Sequence, residues 1–144
     1  MTGAVQISAR IIETAIHKLH SLGLPLKVVK SGVGSCPVAP LHPDPSVMMG
    51  RSNDMLLLTG KVFLTVEYGD LEKLRSYVEK APSSSSKQYG KPFYEIYKEA
   101  GHDFYKIDPN LFAPALITVF ESSTGIGFKA GYVDIELLKR SLGL

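Results

Sequence analysis

The stretch Asp54-Met55-Leu56-Leu57-Leu58-Thr59-Gly60-Lys61-Val62-Phe63-Leu64-Thr65-Val66-Glu67 decides the fold. It reads as two strands, Asp54–Thr59 and Lys61–Glu67, folded into a hairpin at Thr59-Gly60. Before it, the segment from Ser31 to Gly50 holds Gly32, Gly34, Pro37, Pro40, Pro43 and Pro45, a composition that forbids a regular helix or a central strand. Val33, Val38, Leu41, Val47, Met48 and Met49 are too apolar for disorder, so an ordered loop is expected. Leu26–Lys30 is a short strand candidate, and a first helix is expected from Ala4 to Leu22, stopped by Gly23 with Pro25 beyond.

After the hairpin, Asp70 is placed to cap a helix over Leu71–Lys80, with Leu74 and Val78 inward. Ser83–Ser86 is a loop, and Pro92–Ala100 a short helix with proline in its first turn. Ala115–Phe120 and Ile126–Ala130 read as a second hairpin across Ser122-Ser123-Thr124-Gly125, and Asp134–Leu142 as a closing helix ended by Gly143. The pattern gives an α/β class chain with α+β layers. A mixed or antiparallel sheet with two hairpins is covered by about four helices, all in one unit spanning 1–144.

Composition narrows the function classes. At 144 residues the chain has room for one domain, and its 44% apolar content supports a real core. A net charge of +2 with scattered Lys and Arg, and no aromatic-plus-glycine RNA motif, argues against a nucleic-acid partner. No apolar run approaches membrane-spanning length, and the amphipathic start is unlike a secretory leader. The single Cys36 excludes an internal disulfide and a thiolate metal cage, which points to a reducing, cytoplasmic setting. Met1-Thr2-Gly3 leads almost directly into the first helix, as in a chain that begins inside a larger fold.

Several constellations carry chemistry. On the first helix Arg10 and Glu13 stand three apart, with Gln6 and His17 extending their stripe and Val5, Ala9, Ile12, Ile16 and Leu19 beside it. An Arg that holds a carboxylate at the edge of a core prepares a general base; the same spacing makes an ordinary surface ion pair. His17 and His20 share a face without a third ligand at zinc spacing, and Cys36 reads as an inert thiol unless a His reaches it. Ser31–Ser35 lacks the Lys-Ser/Thr ending of a phosphate loop. Gly50-Arg51-Ser52-Asn53-Asp54 offers polar groups for a heterocycle or a phosphate, or a capped turn. Tyr89, Lys91, Tyr94 and Tyr105 suit either a flat ligand's pocket or plain core packing.

In order along the chain, Ile7-Ser8-Ala9-Arg10-Ile11-Ile12-Glu13, Gly50-Arg51-Ser52-Asn53-Asp54, Tyr89-Gly90-Lys91-Pro92-Phe93-Tyr94-Glu95-Ile96, Asp103–Asp108, Phe112–Ala115 and Thr124-Gly125 together resemble methenyltetrahydromethanopterin cyclohydrolase. The likeness spans the whole chain and corresponds to the C-terminal half of that family's enzyme. It departs at Lys87-Gln88, where an acidic residue is expected, at Ala15 for Gly and at Ser52 for Thr. The resemblance implies reversible hydrolysis of the methenyl bridge of a tetrahydromethanopterin derivative, which is substrate rather than cofactor, without a metal. It also implies roles. Glu13 is the base toward water and Arg10 holds its carboxylate; Arg51, Asn53, Asp54, Tyr89, Lys91 and Tyr105 meet the substrate. The partners implied are a pterin-type one-carbon carrier, a complementary N-terminal half and further copies in a trimer, with no nucleic acid and no membrane. An inactive pterin-binding or interaction module descended from the enzyme is the alternative.

Overall fold

A computed structural model describes residues 2–144. Four strands form one mixed sheet in the order β1 (Val29–Ser35), β2 (Lys61–Val66), β3 (Leu116–Glu121) and β4 (Ile126–Gly131). β1 and β2 are antiparallel, β2 and β3 parallel with Lys61 opposite Leu116, and β3 and β4 antiparallel. Six α-helices accompany them among the described residues: α1 (Thr2–Ala9), α2 (Ile11–Leu22), α3 (Pro45–Thr59), α4 (Leu71–Lys80), α5 (Phe93–Glu99) and α6 (Ile135–Leu142).

Alternation along the strands sorts the sheet into two faces. Val62, Leu64 and Val66 of β2 and Ile117, Val119 and Glu121 of β3 are buried, whereas Lys61 and Phe63 are exposed. α2 packs on β1 and β2, and α4 on β3 and β4, so one side carries the helices. α3 packs against α1, α5 and α6 as a second helical group, and no described helix is long and apolar enough to cross a membrane.

The α+β class and the mixed sheet hold, as do α4 with its Asp70 cap, α5, α6 with its Asp134 cap, and the β3–β4 hairpin. The first hairpin does not. Asp54–Thr59 is the last half of helix α3, and the antiparallel pair β1–β2 is joined through that helix. The reason is burial on every side. Residues 54–59 are all buried, which erases the polar stripe that marks a helix and leaves an apolar run that periodicity cannot assign. The decisive signal lies upstream. The Asp44 carboxylate accepts the Ser46 N–H at 2.8 Å, and Pro45 follows it in the first turn. The expected irregular loop is therefore shorter at both ends. Its first residues, Ser31–Ser35, belong to β1, which takes Gly32 and Gly34 as an edge strand.

Gly60 makes the turn from α3 into β2. A Cβ there would lie 2.5 Å from the Leu56 carbonyl and 2.5 Å from Ile11 Cδ1, so close approach, not a special dihedral, requires glycine. Gly60→Ala should lower stability by about 1–3 kcal/mol, read as a fall in the urea midpoint, since helix end and α2 cannot both keep their places.

The first helix is interrupted at Arg10. Its φ of −85° and ψ of 9° lie in the bridge region, and its N–H donates to the Ile7 carbonyl at 3.1 Å, a tighter turn than an α-helix makes. Arg10 thereby becomes the cap position of α2, with Glu13 in that helix's first turn.

Candidate active-site surface at the start of the second helix

α2 is held down by Ile11, Ala15 and Leu19, which are buried, and by Lys18 on the same stripe. Lys18 is 2% exposed, and its Nζ donates to the Asn110 carbonyl at 2.7 Å. Burial pushes its pKa down, opposed by the nearby Asp108 carboxylate. Sequence reading missed Lys18; the signal that could have found it is a lysine in line with Ile11, Ala15 and Leu19, the face that is buried.

This seating sets the rest of the helix. Ile12 and Ile16 come next around the cylinder and, with Leu26, floor an apolar groove of about 440 Å³; Glu13, His17 and His20 stand along it. Glu13 and Arg10 are both exposed, and no ion pair joins them. The helix start favours a negative charge where Glu13 sits. The Arg10 carbonyl accepts both the backbone N–H and the hydroxyl of Thr14 at 2.9 Å, which fixes the turn between the two residues. The groove thus sets the Glu13 carboxylate beside an apolar floor along α2, with Arg10 at the break just before that helix.

The other expected contacts lie elsewhere. Arg51, on α3, donates from Nη1 to the Leu41 carbonyl at 3.4 Å, while its buried Nε has no partner. With Tyr94, Glu95 and Arg140 it lines a pocket of about 160 Å³. Asn53 spends its amide on the Met49 carbonyl of its own helix. Asp54 is 1% exposed, and both its oxygens are taken: Oδ1 accepts the Phe93 N–H at 3.0 Å and Oδ2 the Ser141 hydroxyl. In this chain Asp54 thus brackets α3, α5 and α6.

Tyr89 donates to Asp134 Oδ2 at 3.1 Å and meets the Tyr132 ring edge-on. Burial first, and the Asp134 carboxylate second, hold its phenol well above the usual range, so it stays protonated and keeps its donor to Asp134. Lys91 is paired with Glu99 at 2.6 Å. Tyr105 is 99% exposed at the rim of a separate hollow with Gln88 and Asn110. Arg140 lines the pockets of both Arg51 and Tyr89 and so links those two; neither shares a pocket with Glu13 or Tyr105. Cys36 is half-buried, and burial pushes its thiol up, which is the reverse of an activated nucleophile. His42 Nδ1 accepts the Asp44 N–H instead of serving that thiol.

Glu121, at the end of β3, was not expected to matter. It is fully buried and accepts the Ser123 hydroxyl, the Tyr68 and Thr124 N–H groups at 2.8 Å, and the Thr124 hydroxyl at 3.1 Å. These donors, Ser123 foremost and against the opposing effect of burial, hold its carboxyl down at about 2. The signal in the sequence is a carboxylate just before a Ser-Ser-Thr-Gly turn. Because the folded value lies below the ordinary one, this stabilisation is present above the normal carboxylate range and is lost as pH falls toward 2. Glu121→Gln should therefore lower the melting temperature at neutral pH and flatten the acid limb of a melting-temperature series.

Comparison with known proteins adds the following. The family model described as Cyclohydrolase (MCH) matches residues 1–142. A protein of Methanococcoides burtonii named methenyltetrahydromethanopterin cyclohydrolase is 45% identical over 144 residues, all of this chain and 45% of its own length. Proteins of the same name from Methanothermobacter marburgensis and Methylosinus trichosporium are 42% and 43% identical, covered over 45% and 55% of their lengths. The chain spans about half the length of the relatives it matches.

Proposed function

This chain belongs to the methenyltetrahydromethanopterin cyclohydrolase family, and on that premise we propose that it supplies the catalytic-helix half of such an enzyme, acting together with a complementary segment. The reaction is addition of water to the methenyl carbon of a tetrahydromethanopterin derivative. That carbon is already a cationic amidinium electrophile, so the protein's task is to orient water and take its proton. Glu13 accepts the proton as the water oxygen bonds to carbon. One C–N bond then opens, its nitrogen takes up a proton, and cation plus water give the neutral formyl form plus one proton. Arg10 keeps the Glu13 carboxylate directed at the water once the cleft is closed.

The observation that carries this reading is the start of α2. Glu13 stands in the first turn over the apolar floor of Ile12, Ile16 and Leu26, and Arg10 occupies the adjoining break. Both are open to solvent here, which fits one wall of a cleft. Arg51, Tyr89, Lys91, Tyr105 and Asn53 serve the pterin or its tail only as outlying contacts in this scheme. The setting is cytoplasmic one-carbon metabolism, in methane formation or formaldehyde oxidation, and the working form is a homo-oligomer, a trimer by family habit. The lone, unpaired Cys36 supports the compartment.

The test is co-expression of this chain with the part of the Methanococcoides burtonii relative that lies outside the match, followed by absorbance of the methenyl form. Loss of that absorbance beyond the spontaneous rate supports the enzyme. Calorimetric binding of the pterin without turnover assigns the chain to a binding module instead.

A further inference from the structure

Hydrolysis of a methenyl bridge moves more protons than one carboxylate holds. Water bonding to the carbon gives its first proton to Glu13 and leaves a neutral adduct, in which that carbon bears a hydroxyl and two nitrogens. Opening a C–N bond then needs a proton on the departing nitrogen and removal of the hydroxyl proton from oxygen. Glu13 alone would have to give up the proton it has just taken and receive another in the same event. A second group beside it removes that conflict. The lining of the groove along α2 holds three titratable side chains, Glu13, His17 and His20; Ile12, Ile16 and Leu26 supply the rest. Arg10, at the break before the helix, stays charged throughout and passes no proton.

Geometry separates the two histidines. His17 follows Glu13 by four residues, one turn along the same face of α2, where such neighbours have Cβ atoms about 5–6 Å apart. Groups so spaced can flank one carbon, with its oxygen toward Glu13 and its nitrogen toward His17. His20 stands a further turn away, and its Nδ1 lies 3.3 Å from the Leu24 carbonyl. A carbonyl only accepts, so that nitrogen carries the hydrogen and the His20 ring is tied to the chain just past its own helix. The His17 ring is exposed and forms no hydrogen bond among the described residues. We propose that His17 is the general acid of this reaction: as imidazolium it protonates the departing nitrogen, and as imidazole it takes the hydroxyl proton left on oxygen. The C–N electron pair goes to nitrogen, an oxygen lone pair closes the formyl C=O, and His17 ends the cycle as it began. Glu13 releases the one net proton. An imidazole suits both transfers because it changes charge near neutral pH. The inference rests on the catalytic-helix reading above and adds a second catalytic residue to it.

The experiment uses the complex of this chain with the complementary segment of the Methanococcoides burtonii relative, assayed by absorbance of the methenyl form. His17→Gln should lower kcat by about 10²-fold with KM nearly constant, the lower end of what a positioned acid supplies. Its kcat–pH profile should lose the alkaline fall that runs through the imidazole range, about pH 5–8. His17→Ala should regain activity in proportion to added imidazole and Glu13→Gln should not, a contrast that a merely structural histidine would not produce. Neither histidine variant should destabilise the isolated chain, since the side chain is exposed. An unchanged kcat and pH profile in His17→Gln, beside an inactive Glu13→Gln, overturns the inference and leaves the reading of Glu13 intact. A loss confined to KM, without imidazole rescue, makes His17 a binding contact and also overturns it. A wild-type complex without activity removes the catalytic-helix reading and this inference together.

Discussion

Glu13→Gln in the co-expressed complex should slow hydrolysis of the methenyl form by about 10²–10⁴-fold, the usual contribution of a positioned general base. Glutamine keeps the length and shape of the side chain and the hydrogen-bonding capacity of a first-turn residue, so α2 should be undisturbed. Glu13 is exposed in the chain by itself, and unfolding of the isolated variant should match wild type. The comparison therefore separates chemistry from folding. Arg10→Lys tests the positioning role: a lysine keeps the charge but loses the planar fork that fixes a carboxylate. Its expected signature is a displaced pH–rate profile together with a lower kcat at nearly constant KM, which a merely structural arginine would not produce. Full activity of Glu13→Gln would remove the carboxylate from the role of base.

How much of this was legible before the structure depends on where the information was stored. Elements with a solvent face were legible, because a face leaves a period in the sequence. α4, with Leu74 and Val78 buried and a capping Asp70, and α6, with Asp134 and the left-handed Gly143, fell where patterning and caps put them. α3 did not, because its second half has no solvent face at all; the mark it left was the Asp44-Pro45 start, inside a segment dominated by other prolines. The break at Arg10 was illegible for a different reason. Neither Gly nor Pro stands there, and the two half-helices are bent apart by what they pack on, α1 on α3 and α2 on the sheet. The Arg10–Glu13 pairing was legible as spacing but not as contact, since spacing says nothing of where each side chain settles. Asp54 shows the same limit from the other side. The polar cluster before an apolar run left a ligand contact and a capped turn both open, and spacing did not show that Asp54 brackets three helices that converge on it.

That bracket gives the second large effect. Burial, opposed by the Ser141 hydroxyl and the Phe93 N–H and aided by nearby Glu95, raises the Asp54 carboxyl from 3.8 to about 6. The folded state thus holds a proton that the unfolded chain releases earlier. Its stabilisation is fully present below the unfolded value and is lost as pH rises through about 6, an effect of about 3 kcal/mol by the usual conversion. Asp54→Asn should remove this slope. Its carbonyl can still accept the Phe93 N–H, and its amide can donate to Ser141, but nothing ionises. In urea unfolding the variant should lie within about 1 kcal/mol of wild type at low pH, where both carry a neutral group, and exceed it by up to about 3 kcal/mol above pH 7. Asp54→Ala behaves differently. It leaves the buried Phe93 N–H without an acceptor, a loss of about 1–3 kcal/mol before any cavity is counted, so it should be the less stable variant at every pH. Its deficit against wild type should be largest in acid and shrink as wild-type Asp54 ionises. Parallel stability–pH curves for wild type and Asp54→Asn would show that the carboxyl titrates normally, and the bracket would then be held by an ionised Asp54 at neutral pH.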